Sequence, residues 1–302
     1  MDVLVVRSGA LGDVLLLRRA VAALRRAGHR AHLLAPAGVG GVLVGPGAEE
    51  ASRLTALDGA PAAAWLGGAP AGSAFARSLR ADAILALTRS VDLRTRLGGL
   101  APRVLERDPS PPPGTDASRW LAAPVSALGA DPVPDPPVLA FTAHERDAAR
   151  AIADRLPRGF LALHPGSGSA AKNWPADGFG ALVRSRVAGR RWLLVSGPAD
   201  EKGTARLADL PGAVLARDLP LRVLGALLGQ AGLYVGNDSG VTHLAAAAGA
   251  PTLALFGPTA AETWAPVGPL VEVVSSLDGT MESLELERVQ EAAARLVEGA
   301  VE

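Results

Sequence analysis

The chain has 302 residues, of which 30 are Lys or Arg and 30 are Asp or Glu, so its formal net charge is zero. A general nucleic-acid binder usually carries a strong basic excess, which this composition lacks. With 49% apolar residues and no cysteine, the chain can bury a large core over two domains of ordinary size, and disulfides and thiolate metal sites are excluded.

The opening MDVLVVRSG places Asp2 ahead of an apolar run that stops at Arg7. This is the pattern of a strand, not of a secretory leader. No uninterrupted apolar stretch reaches the roughly 20 residues of a membrane helix; the longest, residues 244–256, is broken by Gly249 and Pro251. A cytoplasmic protein is expected, with peripheral membrane contact left open.

Residues 3–6 read as a buried strand, followed by a glycine loop from Ser8 to Gly12. Residues 13–27 have helical spacing, with Val14, Leu17, Val21 and Leu24 on one face and Gly28 at the end. Arg18, Arg19, Arg25 and Arg26 would solvate that helix. Strands are predicted at 31–34, 53–57 and 83–87, while the glycine-rich 38–47 is ambiguous. Residues 109–113 look like a surface loop. Residues 131–137 hold four prolines without periodicity and make the best linker candidate. A helix is predicted over 143–156, and the rhythm then restarts. Strands fall at 160–163, 192–195, 233–235 and 252–256, and helices at 176–187, 201–210, 221–230, 240–248 and 283–297. Alternating strands and amphipathic helices predict two doubly wound halves with a cleft between them, ligands binding outside the carboxyl ends of the strands.

Three segments carry chemistry. In Ser8-Gly9-Ala10-Leu11-Gly12-Asp13 a glycine loop enters a helix, but G-x-G-x-x-G is absent and Asp13 would repel a pyrophosphate. A carboxylate at a helix start stays ionised and suits general-base work; a simple helix cap is the alternative. The second segment runs from His164-Pro165-Gly166 through Lys172-Asn173-Trp174-Pro175. Its small residues let backbone N–H groups approach an anion, Ser167 and Ser169 add hydroxyls, and Lys172 adds a point charge. A flexible loop with a solvated lysine is the alternative, and the Walker pattern is not met. The third segment, Gly236-Asn237-Asp238-Ser239-Gly240-Val241-Thr242-His243, joins a strand to an alanine-rich helix. Asp238 and Ser239 sit where helix N–H groups can hold a diphosphate, and Asp238 can accept from sugar hydroxyls. His243 is either near the same pocket or structural. The elbow G-x-S-x-G of serine hydrolases is missing. Phe256-Gly257-Pro258-Thr259 would border the pocket. Five histidines without H-x-x-x-H spacing, and no D-x-D pair, argue against a metal.

In order and spacing, Arg7-x-Gly9-Ala10-Leu11-Gly12-Asp13, His164-Pro165-Gly166 through Lys172-x-Trp174-Pro175, and Asp238-Ser239-Gly240-x-x-His243-x-Ala245 followed by Phe256-Gly257-Pro258-Thr259 resemble glycosyltransferase family 9, the ADP-heptose–lipopolysaccharide heptosyltransferases. The resemblance implies an α/β GT-B fold: two Rossmann-like doubly wound domains facing a central cleft. An acceptor-binding domain would cover 1–137 and a nucleotide-sugar-binding domain 138–302, the last helix being able to pack back on the first. It implies inverting, metal-independent transfer of a heptose or similar sugar from ADP-heptose to a hydroxyl of a bacterial surface glycan such as the lipopolysaccharide core. No cofactor and no nucleic acid is implied, and the partners are the nucleotide sugar and a glycan or glycolipid at the inner membrane face. Asp13 matches the catalytic base and Lys172 the charge on the leaving diphosphate. Ser167, Ser169, Asp238, Ser239, Gly240 and His243 match the donor site, Glu201 falls at the ribose and Leu219 at the adenine. Gly12, Arg89 and Arg94 are candidates for the acceptor, although Arg89, Arg94 and Arg96 also read as a solvated helix face. The competing readings are a GT-B transferase or epimerase using another sugar nucleotide, and a non-catalytic sugar-nucleotide-binding protein.

Overall fold

The computed structural model describes residues 1–187, 189–197 and 201–299, the side chains of 201–203 excepted. The chain divides into two compact units, Met1–Ala140 and Phe141–Glu302. The first holds β1 (Asp2–Arg7), α1 (Leu11–Leu15), α2 (Arg18–Arg26), β2 (Arg30–Ala35), α3 (Ala37–Gly40), β3 (Arg53–Ala56), α4 (Ala60–Leu66), α5 (Ala74–Ser78), β4 (Ala83–Leu87), α6 (Val91–Leu97), β5 (Val104–Glu106) and α7 (Ala117–Ala122). The second holds α8 (Ala143–Ala153), β6 (Leu161–His164), α9 (Ala176–Val187), β7 (Trp192–Ser196), α10 (Glu201–Ala208), β8 (Ala213–Arg217), α11 (Leu221–Leu228), β9 (Leu233–Asn237), α12 (Gly240–Ala247), β10 (Thr252–Phe256), α13 (Ala261–Trp264), β11 (Val271–Ser275) and α14 (Leu286–Gly299).

Each unit is one open parallel sheet. The first is ordered β3-β2-β1-β4-β5 and the second β11-β10-β9-β6-β7-β8. Counted from the first strand of its own unit, the second reads 3-2-1-4-5-6 from one edge to the other, and the first is the same frame without its last strand. In this strand order, crossovers of the usual right hand place helices on both faces and reverse direction beside the first strand. That reversal lies between β1 and β4 in one unit and between β6 and β9 in the other. Arg7 stands opposite Leu87 at the first, and His164 opposite Gly236 at the second.

Central strands such as β1, β4, β9 and β10 are buried on both faces, which is why they read as continuous apolar runs. The first core packs Leu4, Val6, Leu34, Trp65, Ile84 and Leu97. The second packs Leu163, Phe179, Trp192, Val235 and Leu255, with Val289, Ala292, Ala293 and Leu296 from one face of α14. These four follow an i, i+3, i+4, i+7 spacing, and each large apolar side chain so buried contributes about 1.5–3 kcal/mol. The last helix lies against β9, β10, β11 and α9 of its own unit.

Two expectations need correction. The helix expected over 13–27 starts earlier, at Leu11, and is interrupted at Leu16 and Leu17, where Leu17 N–H bonds to Val14 O at 3.0 Å instead of continuing the α ladder. Arg18 and Arg19 do not solvate it. They are 5% and 7% exposed and hold the proline segment: Arg18 Nη2 donates to Pro136 O at 3.3 Å and to Pro137 O, and Arg19 Nη1 donates to Val133 O at 3.2 Å. Prolines offer carbonyls without N–H groups, so such a segment forms no ladder of its own and takes donors from a guanidinium fork. Burial, with Arg19 adding to it, brings Arg18 down to about 10, which leaves it charged at neutral pH. Glu50 Oε1 then accepts from Ala140 N–H at 2.6 Å. Residues 131–137 are therefore tied to the first unit, and residues 138–140 go with them.

Candidate functional site

At the turning point of the first sheet, Asp13 is the third residue of α1; the N-cap position is Ala10, and Asp13 caps the helix start from within by accepting from the Ala10 N–H. Its side chain folds back over Gly9: Oδ2 accepts from Ala10 N–H at 2.8 Å and Oδ1 from Arg7 Nη2. A Cβ at position 9 would lie 2.3 Å from Asp13 Oδ2, so this carboxylate position requires glycine there. Arg7 is nearly buried, whereas Asp13 keeps 30% of its side chain exposed. An ionised carboxylate has about four lone-pair sites, so two contacts leave room for a hydroxyl donor. Gly12 is half-buried beside it.

Arg89 leaves the end of β4, next to β1, and donates to Asp108 at 2.8 and 3.0 Å. Arg94, on α6, stands 3.8 Å from Glu106. Both are partly or largely exposed, so these are surface ion pairs that an anionic ligand can exchange. Nearby, the Arg107 guanidinium lies 4.1 Å above the Trp120 ring.

At the turning point of the second sheet, the loop after β6 and the turn from β9 to α12 interlock. Lys172 Nζ donates to Asp238 Oδ2 at 2.7 Å. His164 Nδ1 and Ser239 Oγ are 3.3 Å apart. Ser239 caps α12, its Oγ accepting from Thr242 N–H at 3.4 Å. Gly240 opens that helix, and His243 is buried in its first turn. Ser167 Oγ donates to Ser169 O at 2.7 Å and accepts from Ser169 N–H at 3.3 Å, so its proton serves the loop itself. Ser169 is exposed. This cluster offers an ammonium, a helix N-terminus and loop N–H groups, which together suit a diphosphate. Leu219 follows β8, two strands out from β6, and is half-buried beside Asp218, whose φ is +50°. Glu201 is the first residue of α10; its side chain and residues 198–200 lie outside the described residues. Among the described residues, no group of three or more His, Asp or Glu side chains is placed to hold a metal ion, and no helix is long and apolar enough to cross a membrane.

Sequence reasoning missed Asn237. It is fully buried at the end of β9, and its side chain bonds both Pro165 and Trp174. A polar residue closing an apolar strand is the one available signal, and it does not name partners more than 60 residues away.

Two Rossmann-ordered parallel sheets, with polar clusters at both turning points, define a two-domain α/β protein of the GT-B class. Solved structures share the fold. A family 9 glycosyl transferase from Veillonella parvula superposes with a TM-score of 0.83 at 17% identity, covering 99% of this chain and 97% of that one. The Escherichia coli heptosyltransferase WaaC with ADP gives 0.75 at 19% identity over 98% and 100%. E. coli ADP-heptose lipopolysaccharide heptosyltransferase II gives 0.76 at 18% over 100% of both chains. In sequence, lipopolysaccharide heptosyltransferase 3 of E. coli is 31% identical over 115 residues, 35% of this chain and 34% of that protein, so the match spans about a third of that relative's length. The profile of glycosyltransferase family 9 (heptosyltransferase) matches residues 99–293. The chain belongs to glycosyltransferase family 9.

Proposed function

We propose that the protein is an inverting, metal-independent glycosyltransferase that moves a heptose, or a similar sugar, from ADP-heptose to a hydroxyl of a bacterial surface glycan such as the lipopolysaccharide core. It works on the cytoplasmic side, in peripheral contact with the inner membrane. The reading is carried by one observation: a chain of this family sets an anion-receptive cluster around Lys172 at one turning point and a braced, accessible carboxylate, Asp13, at the other.

In this mechanism Asp13 accepts the proton of the acceptor hydroxyl as its oxygen bonds to the anomeric carbon. The bond from that carbon to the diphosphate breaks through an oxocarbenium-like state, by analogy with glycoside hydrolysis. Charge grows on the leaving diphosphate. Lys172, the α12 N-terminus at Ser239 and Gly240, and the loop carrying Ser167 and Ser169 stabilise it. Asp238 and His243 complete the donor side, with Glu201 toward the ribose and Leu219 toward the base. Gly12, Arg89 and Arg94 contribute to acceptor binding.

The deciding experiment is a thermal-shift screen with ADP, UDP and GDP, followed by mass spectrometry of products from a donor panel. A ligand at a hundred times its Kd adds about 2.7 kcal/mol of apparent stability, so the preferred nucleotide should stand apart. ADP is expected to shift the midpoint most, with heptosyl transfer from its conjugate. Stronger stabilisation by UDP or GDP would move the donor to another class, and binding without turnover on any acceptor would make this a non-catalytic binder.

A further inference from the structure

Residues 237, 238 and 239 each reach back to the end of β6 or to the segment that follows it, but in different ways. Asp238 pairs with the Lys172 ammonium and Ser239 approaches the His164 ring. Asn237 engages backbone at both ends of the loop: Nδ2 donates to Pro165 O at 2.7 Å, and Oδ1 accepts from Trp174 N–H at 3.1 Å. Between those ends run residues 166–173, which include Ser167, Ser169 and Lys172.

The frame around this amide is closely packed. Trp174 Nε1 donates to Leu284 O at 2.9 Å, and its ring meets Phe179 edge-on with centroids 5.1 Å apart. A Cβ on Gly178 would lie 2.5 Å from the same indole, so the ring rests directly on the α9 backbone. On the other side, the Thr242 hydroxyl donates to Asn237 O at 2.5 Å, fixing the residue to α12. Inside the loop, local order comes from the Ser167 turn and one short 3-10 turn, Ala170–Lys172, and the contacts from outside include Lys172 with Asp238 and a longer one, 3.5 Å, from Asn237 Nδ2 to Asn173 Oδ1.

We propose that Asn237 is a positioning residue for the anion loop: one buried carboxamide closes both of its ends and so sets where Lys172 and the loop N–H groups stand before a ligand arrives. Removing it strands a buried N–H and a buried C=O, which regain partners only by opening to water. An opened loop has to be ordered again by whatever binds it, and that cost is taken from affinity. The inference rests on the reading of residues 166–173 as a diphosphate loop, but the closure itself can be measured without ligand.

The test compares the full-length wild type with Asn237→Ala, Asn237→Ser and a structural control, Thr252→Val. The control removes a buried hydroxyl that bonds Ala250 O at 2.8 Å on neighbouring β10, away from the loop. Hydrogen exchange is followed by residue and ADP binding by calorimetry. In Asn237→Ala, exchange of amides 166–174 is expected to rise about tenfold with β10 unaffected, and ADP affinity to fall about tenfold. Asn237→Ser should fall between that variant and wild type. Thr252→Val should lower Tm but keep ADP affinity within roughly twofold. Unchanged loop exchange, or unchanged ADP affinity, in either folded Asn237 variant overturns the proposal, and Asn237→Ser carries the test if the alanine variant does not fold. If wild type binds none of ADP, UDP or GDP, the diphosphate reading falls, while the exchange measurement still decides whether Asn237 closes the loop.

Discussion

In the first unit the strand at the sheet's turning point, β1, ends in Arg7 and leads through a short loop to α1, whose third residue presents a carboxylate. In the second, β6 ends in His164 and hands it to a loop that presents an ammonium. The frames match strand for strand over five positions. What differs is the sign of the group offered and how it is held. Asp13 is fixed by its immediate neighbours, Arg7 and Ala10, with Gly9 leaving it space. Lys172 is fixed from 66 residues away, by Asp238. A carboxylate braced by local chain can serve as a proton acceptor in a fixed place, whereas an ammonium held by an exchangeable carboxylate can be handed to an incoming phosphate. Strand order places a site but does not decide its chemistry.

This contrast can be broken most sharply at Asp13. Asp13→Asn keeps the shape and removes the charge of the proposed base, so turnover should fall by about 10²–10⁴-fold while ADP affinity measured by calorimetry stays near wild type. Near-normal turnover would remove Asp13 from the mechanism. Lys172→Ala acts on the other unit and should weaken ADP binding about ten- to hundredfold, as loss of a charge-assisted contact does; an unchanged Kd would show that the diphosphate lies elsewhere. Gly9→Ala is subtler. Its Cβ would collide with the Asp13 carboxylate, so turnover is expected to drop about tenfold through misplacement, with nucleotide affinity untouched. Equal losses in both quantities would mean that the two units do not divide the work.

The smallest effect concerns stability. His32, in β2, has its Nε2 2.8 Å from Thr55 Oγ1. Burial first, and then Arg53, push its pKa from 6.5 down to about 4, against the pull of Asp2. Because the unfolded chain takes up this proton more readily, the stabilisation is whole above about pH 6.5 and is lost as pH falls towards 4. Tm plotted against pH should therefore fall less steeply in this window for His32→Asn than for wild type. Parallel curves would remove His32 from the acid response.

The central strands were legible because burial on both faces demands continuous apolar sequence, as at 83–87 and 252–256. The edge strands β5, β8 and β11 were missed for the converse reason. Half-covered by neighbours, they carry Glu106, Arg217 and Glu272 and look like loop. The three polar loops were legible as segments that follow central strands, from their residues and order. Their mutual bracing was not, since the Asn237 contacts exist only once β6 and β9 pair in register. Arg18 and Arg19 misled because a helix face carrying arginines ordinarily faces water, and nothing local announces that carbonyls of the proline-rich segment will cover it.

That proline strap has a practical corollary for anyone dividing the polypeptide. A cut within residues 131–137, where composition invites it, would strip α2 of its carbonyl lid and leave two buried cations facing an open apolar slot. A cut after Ala140 keeps the lid with the helix it shields, and the amino-terminal fragment made that way should be the better behaved of the two.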